Sequence, residues 1–255
     1  MHRFFLTPDR TQQPVLHLTE REAHHALNVL RIREGERAVV LDGAGHEFLC
    51  EVSQADRKTI ALRVAQKQFI PPLPYRLTLI QAVTKGKTMD LIIQKATELG
   101  AHRIVPILSE RTVPHVEDDT AAGKVEKWNA TAIEAIKQCG SPWLPQIDPP
   151  VSPQAFLSRA ENFEMSLIAT LQAHARHPRT FFQTFHNERK RLPANVCVWV
   201  GPEGDFTPAE TNAVISAGAL PISLGRLILR SETAAIYAIS TISYELQRER
   251  KIQQT

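Results

Sequence analysis

The sequence predicts an α/β protein in which a small β-barrel precedes a larger, doubly wound parallel sheet. Short strand-like runs with turn signals between them occupy most of residues 38–64. From Arg76 onward, strand-like and helix-like runs alternate, which is typical of a parallel sheet covered by helices. Between the two patterns, the stretch Ile70-Pro-Pro-Leu-Pro74 disfavours helices and offers few backbone donors to a strand. We therefore expect two domains, residues 1–72 and residues 73–255.

Composition narrows the class of protein. The chain has 255 residues, 43% of them hydrophobic, so it is long enough to form buried cores. Its formal net charge of +3 suits an anionic partner without requiring one. The three cysteines lie far apart and lack metal-ligand spacing, which favours a reducing cytoplasm, and we expect no metal. We recognise no signal peptide and no apolar run long enough to cross a membrane, so we expect a cytoplasmic protein without a membrane partner.

Capping and turn signals place the elements of the first domain. Thr19 followed by Glu22 predicts the start of a helix that runs to about residue 30. The sequence Asp42-Gly-Ala-Gly45 predicts a hairpin turn between two strands. The strands predicted for this domain are residues 3–6, 38–41, 47–52 and 59–64.

In the second domain, strands and helices are predicted to alternate along the chain. Prolines between residues 142 and 153 predict an irregular connection, and the polar stretch 174–193 receives no assignment. The predicted strands are residues 77–83, 104–108, 166–171 and 196–200, and the predicted helices are residues 89–100, 125–138 and a last one ending near 246.

Two loops in the last quarter of the chain form a candidate ligand site. A β-branched run ends at Gly201-Pro202-Glu203-Gly204, which predicts a buried strand that stops at a loop with accessible backbone groups. Residues Thr207 to Glu210 then have the form of a capping box that starts a helix. A second strand at residues 222–225 precedes a loop ending at Arg230 and a helix capped by Ser231. Such loops form a pocket at the carboxyl edge of a parallel sheet, although the same glycines also suit ordinary turns.

These loops resemble a known family. The segments Gly201-Pro-Glu-Gly204, Leu224-Gly225 and Leu229-Arg-Ser-Glu-Thr-Ala234 are similar to the signature of the SPOUT-class RNA methyltransferases that methylate N3 of a uridine in small-subunit ribosomal RNA. The resemblance covers nearly the whole chain, because further motifs occur in the family's order and spacing. They are Lys85-Gly86, Met89-Asp90, Gln94-Lys95, Glu98-Leu-Gly100, Ser109-Glu-Arg111 and Gln138-Cys-Gly140.

The resemblance implies features that periodicity alone does not. It implies a SPOUT domain whose loop at residues 224–231 is threaded as a trefoil knot against residues 201–204, preceded by a PUA-like, RNA-binding barrel. It implies S-adenosyl-L-methionine as cofactor, a homodimer, and 16S ribosomal RNA as partner, within the small subunit or a late assembly particle. The cofactor-binding residues carried over from the family are Leu171, Gly201, Pro202, Gly204, Leu224, Gly225, Leu229, Ser231 and Thr233.

Methylation of uracil N3 requires removal of the N3 proton and stabilisation of the charge that develops on the ring oxygens. Arg230 is the candidate cation, and its alternative role is an ion pair with Glu203 or Glu232. Either glutamate could accept the N3 proton or could only hold a loop in place, so the general base is not assigned. Asp205 stands where the family commonly has glycine, and it could reshape the end of the loop or cap the next helix.

Candidate RNA contacts occur in both predicted domains. Arginines outnumber carboxylates in residues 1–33, and Arg3, Arg31 and Arg33 are candidates to steer RNA through its phosphates. Matching basic residues in the family imply phosphate contacts by Lys85 and Lys87.

The sequence alone leaves a methyltransferase and a non-catalytic RNA-binding protein as candidate functions and argues against a dinucleotide-dependent enzyme. The resemblance favours a uridine N3-methyltransferase, with a methyltransferase of the same class acting on another rRNA or tRNA nucleotide as an alternative. A non-catalytic RNA-binding ribosome-assembly protein would not need the intact glycines and Arg230. A dinucleotide-dependent oxidoreductase would need a phosphate-binding fingerprint, and the chain has neither G-x-G-x-x-G after a strand nor a P-loop motif.

Overall fold

The computed structural model describes residues 1–56, 59–112 and 118–247, and contacts divide the chain into two compact units. The first unit comprises Met1–Pro72 together with Ile133–Leu144, and the second comprises Leu73–Ala132 together with Pro145–Thr255. The break after Pro72 lies in the proline-rich stretch. The grouping of residues 133–144 with the first unit depends on contacts between residues distant in sequence, which no local pattern predicts.

The first unit contains a five-stranded sheet. Its strands are β1 (His2–Phe5), β2 (Val15–His17), β3 (Arg37–Leu41), β4 (His46–Ala55) and β5 (Ile60–Phe69). The spatial order is β1-β3-β4-β5-β2, with β1 parallel to β3 and the other neighbours antiparallel. The strand β2 was not predicted, because three residues are too short to show an alternating pattern. The hairpin predicted at residues 42–45 joins β3 to β4 and is confirmed.

One helix lies between β2 and β3. The helix α1 (Glu20–His25) begins after Thr19, whose hydroxyl accepts a hydrogen bond from the Glu22 amide at 3.4 Å, so the predicted cap is confirmed. A π-helical turn, Ala26–Leu30, continues α1 and ends at Arg31 in the left-handed region, with a φ of 54°. Apolar side chains from α1 and from alternate positions of the strands, including the fully buried Phe4 of β1, form the core of this unit.

The second unit is a six-stranded sheet with helices between its strands. The strands are β6 (Arg76–Ala82), β7 (Arg103–Ile107), β8 (Gln146–Ile147), β9 (Met165–Ala169), β10 (Asn195–Val200) and β11 (Leu220–Ile222). The helices are α2 (Lys87–Glu98), α3 (Asp118–Cys139), α4 (Pro153–Leu157), α5 (Pro178–Arg189), α6 (Pro208–Ser216) and α7 (Ser231–Leu246). The end of α3, from Ile133 onward, belongs to the first unit.

The parallel sheet predicted from the alternating pattern is confirmed. Its strand order is β11-β9-β10-β6-β7-β8, and every neighbouring pair is parallel. The chain starts in the interior at β6, adds β7 and β8 on one side, and then adds the other three strands on the opposite side. Because parallel strands all end at the same edge, this reversal creates a crevice at their carboxyl ends.

Two local predictions for this unit need correction. The unassigned stretch 174–193 contains α5, whose cap is His177, because the ring Nδ1 accepts a hydrogen bond from the Arg179 amide at 3.2 Å. The strand expected at residues 222–225 is β11 and ends at Ile222, because Gly225 adopts a φ of +118° that an extended strand excludes.

Within the described ranges, no helix is both long and apolar enough to cross a membrane.

Candidate functional site

A cavity of about 370 Å³ lies at the carboxyl edge of the parallel sheet. Its walls are formed by the loops that follow β9, β10 and β11 and by the start of α7. This volume lies within the range of about 300–1,000 Å³ that is common for small-molecule sites. The apolar side chains of Leu171, Leu227 and Ile228 are 63%, 77% and 83% exposed in the cavity wall. The arrangement therefore offers a concave apolar surface beside loop backbone.

A buried chain of hydrogen bonds joins two of the cavity's loops. Gln81, at the end of β6, is fully buried, and its Nε2 donates to the Ser231 hydroxyl at 3.0 Å and to the Ala82 carbonyl at 2.9 Å. The Ser231 hydroxyl in turn donates to the carbonyl of Gly201 at 2.7 Å. Through these contacts, the first residue of α7 is held against the loop that follows β10, so the two loops expected to lie together do so.

We expect Ser231→Ala to lower the free energy of unfolding by about 1–3 kcal/mol, because it leaves a buried donor on Gln81 and the buried carbonyl of Gly201 without partners. Urea unfolding of the full chain measures this change. The matched control is Ser240→Ala on the same helix, because the Ser240 hydroxyl makes no hydrogen bond to residues that the structure describes. Equal stability of the two variants would show that the buried hydrogen bonds do not hold the loops.

The loop after β10 closes in a tight turn. The Asp205 amide donates to the Pro202 carbonyl at 2.9 Å, and Asp205 Oδ1 accepts from the Phe206 amide at 2.8 Å. Asp205 has a φ of 58°, a left-handed conformation that glycine adopts freely and that aspartate tolerates better than most residues. This conformation explains why aspartate can replace glycine here. The pKa of Asp205 is raised above its usual value, because the effect of burial is larger than the opposing effects of the hydrogen bond from the Phe206 amide and the charge of Arg111.

Gly201 is tightly enclosed by this turn. A Cβ atom at Gly201 would lie 2.9 Å from Asp205 Oδ1 and 3.1 Å from the Phe206 amide nitrogen. Both distances are shorter than ordinary van der Waals contact, so glycine allows the turn to close against the end of β10. Gly204 differs, because a Cβ there would meet Arg111 Cδ at an ordinary 3.5 Å.

Residues from the loop after β7 form hydrogen bonds to the turn at residues 201–206 and to the helix α6 that follows it. The capping box predicted for α6 is confirmed by reciprocal hydrogen bonds between Thr207 and Glu210. The second carboxylate oxygen of the buried Glu210 accepts from the Glu110 amide at 2.9 Å. Arg111 Nη1 donates to the Gly204 carbonyl at 2.6 Å. The bracing roles of Arg111, Glu210 and Gln81 were not predicted, because they arise between residues far apart in the sequence.

The cavity wall contains seven of the nine residues expected to bind the cofactor. Gly204 and Thr233 are exposed and do not line the cavity. The seven lining residues are Leu171, Gly201, Pro202, Leu224, Gly225, Leu229 and Ser231. The prediction of Ser231 as a helix cap was wrong: Arg230 is the N-cap, and the Ser231 hydroxyl is directed to the Gly201 carbonyl instead.

The three candidate catalytic side chains occupy different places. Glu203 is exposed and lines the cavity, whereas Glu232 does not line it. Arg230 is exposed and does not itself line the cavity, although its neighbours Leu229 and Ser231 do. In the part of the chain that the structure describes, Arg230 forms no ion pair with either glutamate. Its guanidinium is therefore available to an external group, and the alternative structural role has no observed partner.

The candidate phosphate contacts also differ from one another. Lys85 is exposed in the loop after β6, and Lys87 is exposed at the first residue of α2, at the same edge of the sheet as the cavity. Arg31 and Arg33 are exposed and make no ion pair with described residues. Arg3, in contrast, donates to the carbonyls of Lys137 and Gln138 at 3.3 and 3.2 Å and so caps the end of α3.

Among described side chains, no group of three potential ligands is placed to hold a metal ion.

Two family models match the chain. A model described as an RNA methyltransferase domain matches residues 71–243, and a model described as an RNA methyltransferase PUA domain matches residues 18–65. The first of these covers the cavity and all of its loops.

Several known proteins are similar to this chain over nearly its whole length. It is 30% identical to the ribosomal RNA small subunit methyltransferase E of Bacillus subtilis, over 97% of this chain and 98% of that protein. The crystal structure of the corresponding enzyme from Neisseria gonorrhoeae, bound to S-adenosyl methionine, is 26% identical with a TM-score of 0.83, covering 96% of this chain and 97% of that one. A Legionella pneumophila protein solved with bound S-adenosyl methionine is 30% identical with a TM-score of 0.85, covering 96% of both chains.

Proposed function

The chain belongs to the ribosomal RNA small subunit methyltransferase E family of RNA methyltransferases, and from this premise we propose that it methylates N3 of one uridine in 16S ribosomal RNA. The proposed methyl donor is S-adenosyl-L-methionine. The observation that carries the proposal is the cavity at the carboxyl edge, whose walls are the loops that bear the family's signature.

The residues of the cavity fit this cofactor. The backbone of Gly201 and Gly225 can pair with the edge of an adenine, and a Cβ at Gly225 would meet no atom within 4 Å, so that backbone is open. Leu171, Leu224 and Leu229 offer apolar surface to the flat ring. When bound, S-adenosyl-L-methionine supplies an electrophilic methyl group on a sulfonium. The task of the protein is then to hold that methyl group in line with the uracil nitrogen.

Two charged side chains are suited to the uracil. Arg230 has no ion-pair partner among the described residues, so its guanidinium can stabilise the negative charge that grows on the ring oxygens as N3 loses its proton. Glu203 is in the cavity wall and is the better placed proton acceptor, directly or through water. Glu232 lies outside the wall and is assigned no step.

We also propose that the enzyme acts as a cytoplasmic homodimer. Tyr237 and Tyr244 are 47% and 67% exposed, and a spacing of seven residues places them on one face of α7. Leu227 and Ile228 at the cavity are also exposed, and subunit interfaces cover exposed apolar side chains of this kind. Light scattering of the purified chain measures its oligomeric state, and a monomer would contradict this proposal.

The exposed arginines after α1 are proposed to contact RNA phosphates. We expect Arg31→Ala combined with Arg33→Ala to weaken binding of small-subunit rRNA and to reduce the salt dependence by about one or two phosphate contacts. Fluorescence anisotropy across a salt series measures both quantities. The matched control removes two other exposed cations, Arg189 and Lys190 at the end of α5. An unchanged slope in the double variant would remove these arginines from the RNA site.

Nucleoside mass spectrometry of 16S rRNA from a strain lacking the gene tests the proposed activity in the cell. We expect one 3-methyluridine to disappear and to return with the restored gene. Loss of a different modification would favour the alternative of a same-class methyltransferase acting on another nucleotide. Unchanged rRNA with defective subunit assembly would favour the non-catalytic alternative.

A further inference from the structure

The end of the β4–β5 hairpin carries an exposed aromatic side chain on a rigid surface. Phe69, the last residue of β5, is 56% exposed. In the register of the hairpin, Phe69 is opposite His46, and Lys67 is opposite Phe48. Because alternate residues of a strand point to the same side, these four side chains share one face of the hairpin. We call them, together with Trp143, the aromatic platform.

The rings of the platform are fixed by their neighbours. The His46 ring lies 5.3 Å from that of Phe69, and Trp143 approaches Phe69 edge-on at 5.9 Å. His46 Nδ1 is 2.7 Å from a carboxylate oxygen of the buried Asp42, and Trp143 Nε1 donates to the Ile70 carbonyl at 2.9 Å. Phe69 is therefore exposed without being free to move, so ordering its side chain would cost a ligand little entropy.

The turn before β4 is shaped to bring these rings together. Asp42 Oδ1 accepts hydrogen bonds from the amides of Ala44 and His46, which fixes the turn. Gly45 has a φ of +100°, and a Cβ there would lie 2.5 Å from Trp143 and 2.7 Å from Phe69. No other residue leaves room for both rings over this backbone, so position 45 requires glycine.

The charge on this face is positive. The ammonium of Lys67 is exposed and lies 5.1 Å from the centroid of the Phe48 ring. Glu47 and Gln68 occupy the alternate positions on the two strands, so they point to the opposite face, where they form a hydrogen bond of 3.0 Å. Asp42 is buried and fully occupied by the turn and His46. A ligand on the platform would therefore meet an open aromatic ring beside an exposed cation.

We infer that the aromatic platform binds an unpaired base of the RNA substrate by stacking on Phe69, with Lys67 contacting the adjoining phosphate. Base stacking on an exposed aromatic side chain beside a cation is a common way to hold single-stranded RNA. The inference rests on the proposed function, because it takes the RNA substrate as given and assigns a part of its binding to this face. A protein surface is the competing partner, and the experiment separates the two.

The test measures binding of deproteinised 16S rRNA, and of the small subunit, to the full-length chain and its variants. We expect Phe69→Ala and Phe69→Leu to weaken binding of the free RNA about tenfold, whereas Phe69→Tyr keeps it, because only the aromatic variant preserves a stacking surface. Phe69→Leu retains apolar packing against Trp143, so it separates stacking from folding. Lys67→Gln should reduce the salt slope by about one contact.

The control is Gln66→Ala, an exposed neighbour on the opposite face of β5, which should leave RNA affinity unchanged. Wild-type affinity of Phe69→Leu for free RNA would overturn the inference, and so would a loss seen only with the assembled subunit, because the platform would then contact protein. Failure of the wild-type chain to bind or methylate rRNA would instead contradict the proposed function.

Discussion

Arg230→Ala is expected to lower kcat and kcat/KM together by about two orders of magnitude. One charge-assisted contact to a developing anion contributes about 3 kcal/mol to transition-state stabilisation. The structure leaves the guanidinium without an ion pair to Glu203 or Glu232 among the described residues, so no such contact is lost from the fold. Cofactor affinity and the melting temperature should therefore change little. Single-turnover methylation of rRNA at saturating cofactor measures the chemical step.

Two further variants sharpen this result. Arg230→Lys should recover only part of the rate, because lysine restores the charge without the planar, two-pronged donor geometry. Arg189→Ala removes an exposed arginine in the last turn of α5, which is not one of the loops that form the cavity, and should have the wild-type rate. A wild-type rate for Arg230→Ala, with weaker cofactor binding or lower stability, would end the catalytic assignment.

Gly201→Ala is expected to weaken S-adenosyl-L-methionine binding by about ten- to hundredfold. The added methyl group would lie 2.9 Å from Asp205 Oδ1, so the turn must open, and overpacking of this kind costs about 1–3 kcal/mol. Opening the turn displaces the carbonyl of Gly201 from its hydrogen bond with Ser231 and alters the cavity wall. Isothermal titration calorimetry with the cofactor measures the change.

Gly204→Ala is the matched control for Gly201→Ala. A methyl group at Gly204 makes only an ordinary contact with Arg111, and Gly204 is not part of the cavity wall. We therefore expect near-normal cofactor affinity. If Gly204→Ala had the larger effect, the cofactor would have to contact the far side of the turn, and the wall described above would be wrong.

Local signals were sufficient for much of the fold. The capping box of Thr207 and Glu210, the cap at Thr19 and the alternation of strands and helices after Arg76 each depend on neighbouring residues, and each is observed. The predictions failed where a segment was too short to show a pattern, or where one residue type suits two structural roles. Strand β2 has three residues, and Ser231 has the form of a helix cap although its hydroxyl bonds to Gly201.

The arrangement of the candidate site depends on contacts that a sequence does not display. Gln81 and Ser231 are separated by 150 positions, and Glu110 and Glu210 by 100, yet both pairs hold the cavity loops. The expectation that Arg3 contacts RNA stays a prediction, and no local sequence signal indicates that its guanidinium also caps α3. Family resemblance supplied the motifs, whereas the geometry showed which members face the cavity and which, such as Gly204, do not.

The most direct test of the proposed activity is methyl transfer by the purified full-length chain. The chain is incubated with labelled S-adenosyl-L-methionine and with 16S rRNA or small subunits from a strain lacking the gene, and the labelled nucleoside is identified by mass spectrometry. We predict that the label appears as 3-methyluridine at a single nucleotide and that Arg230→Ala reduces its formation. Absence of label, or label on a ribose oxygen or on another base atom, would contradict the proposed function.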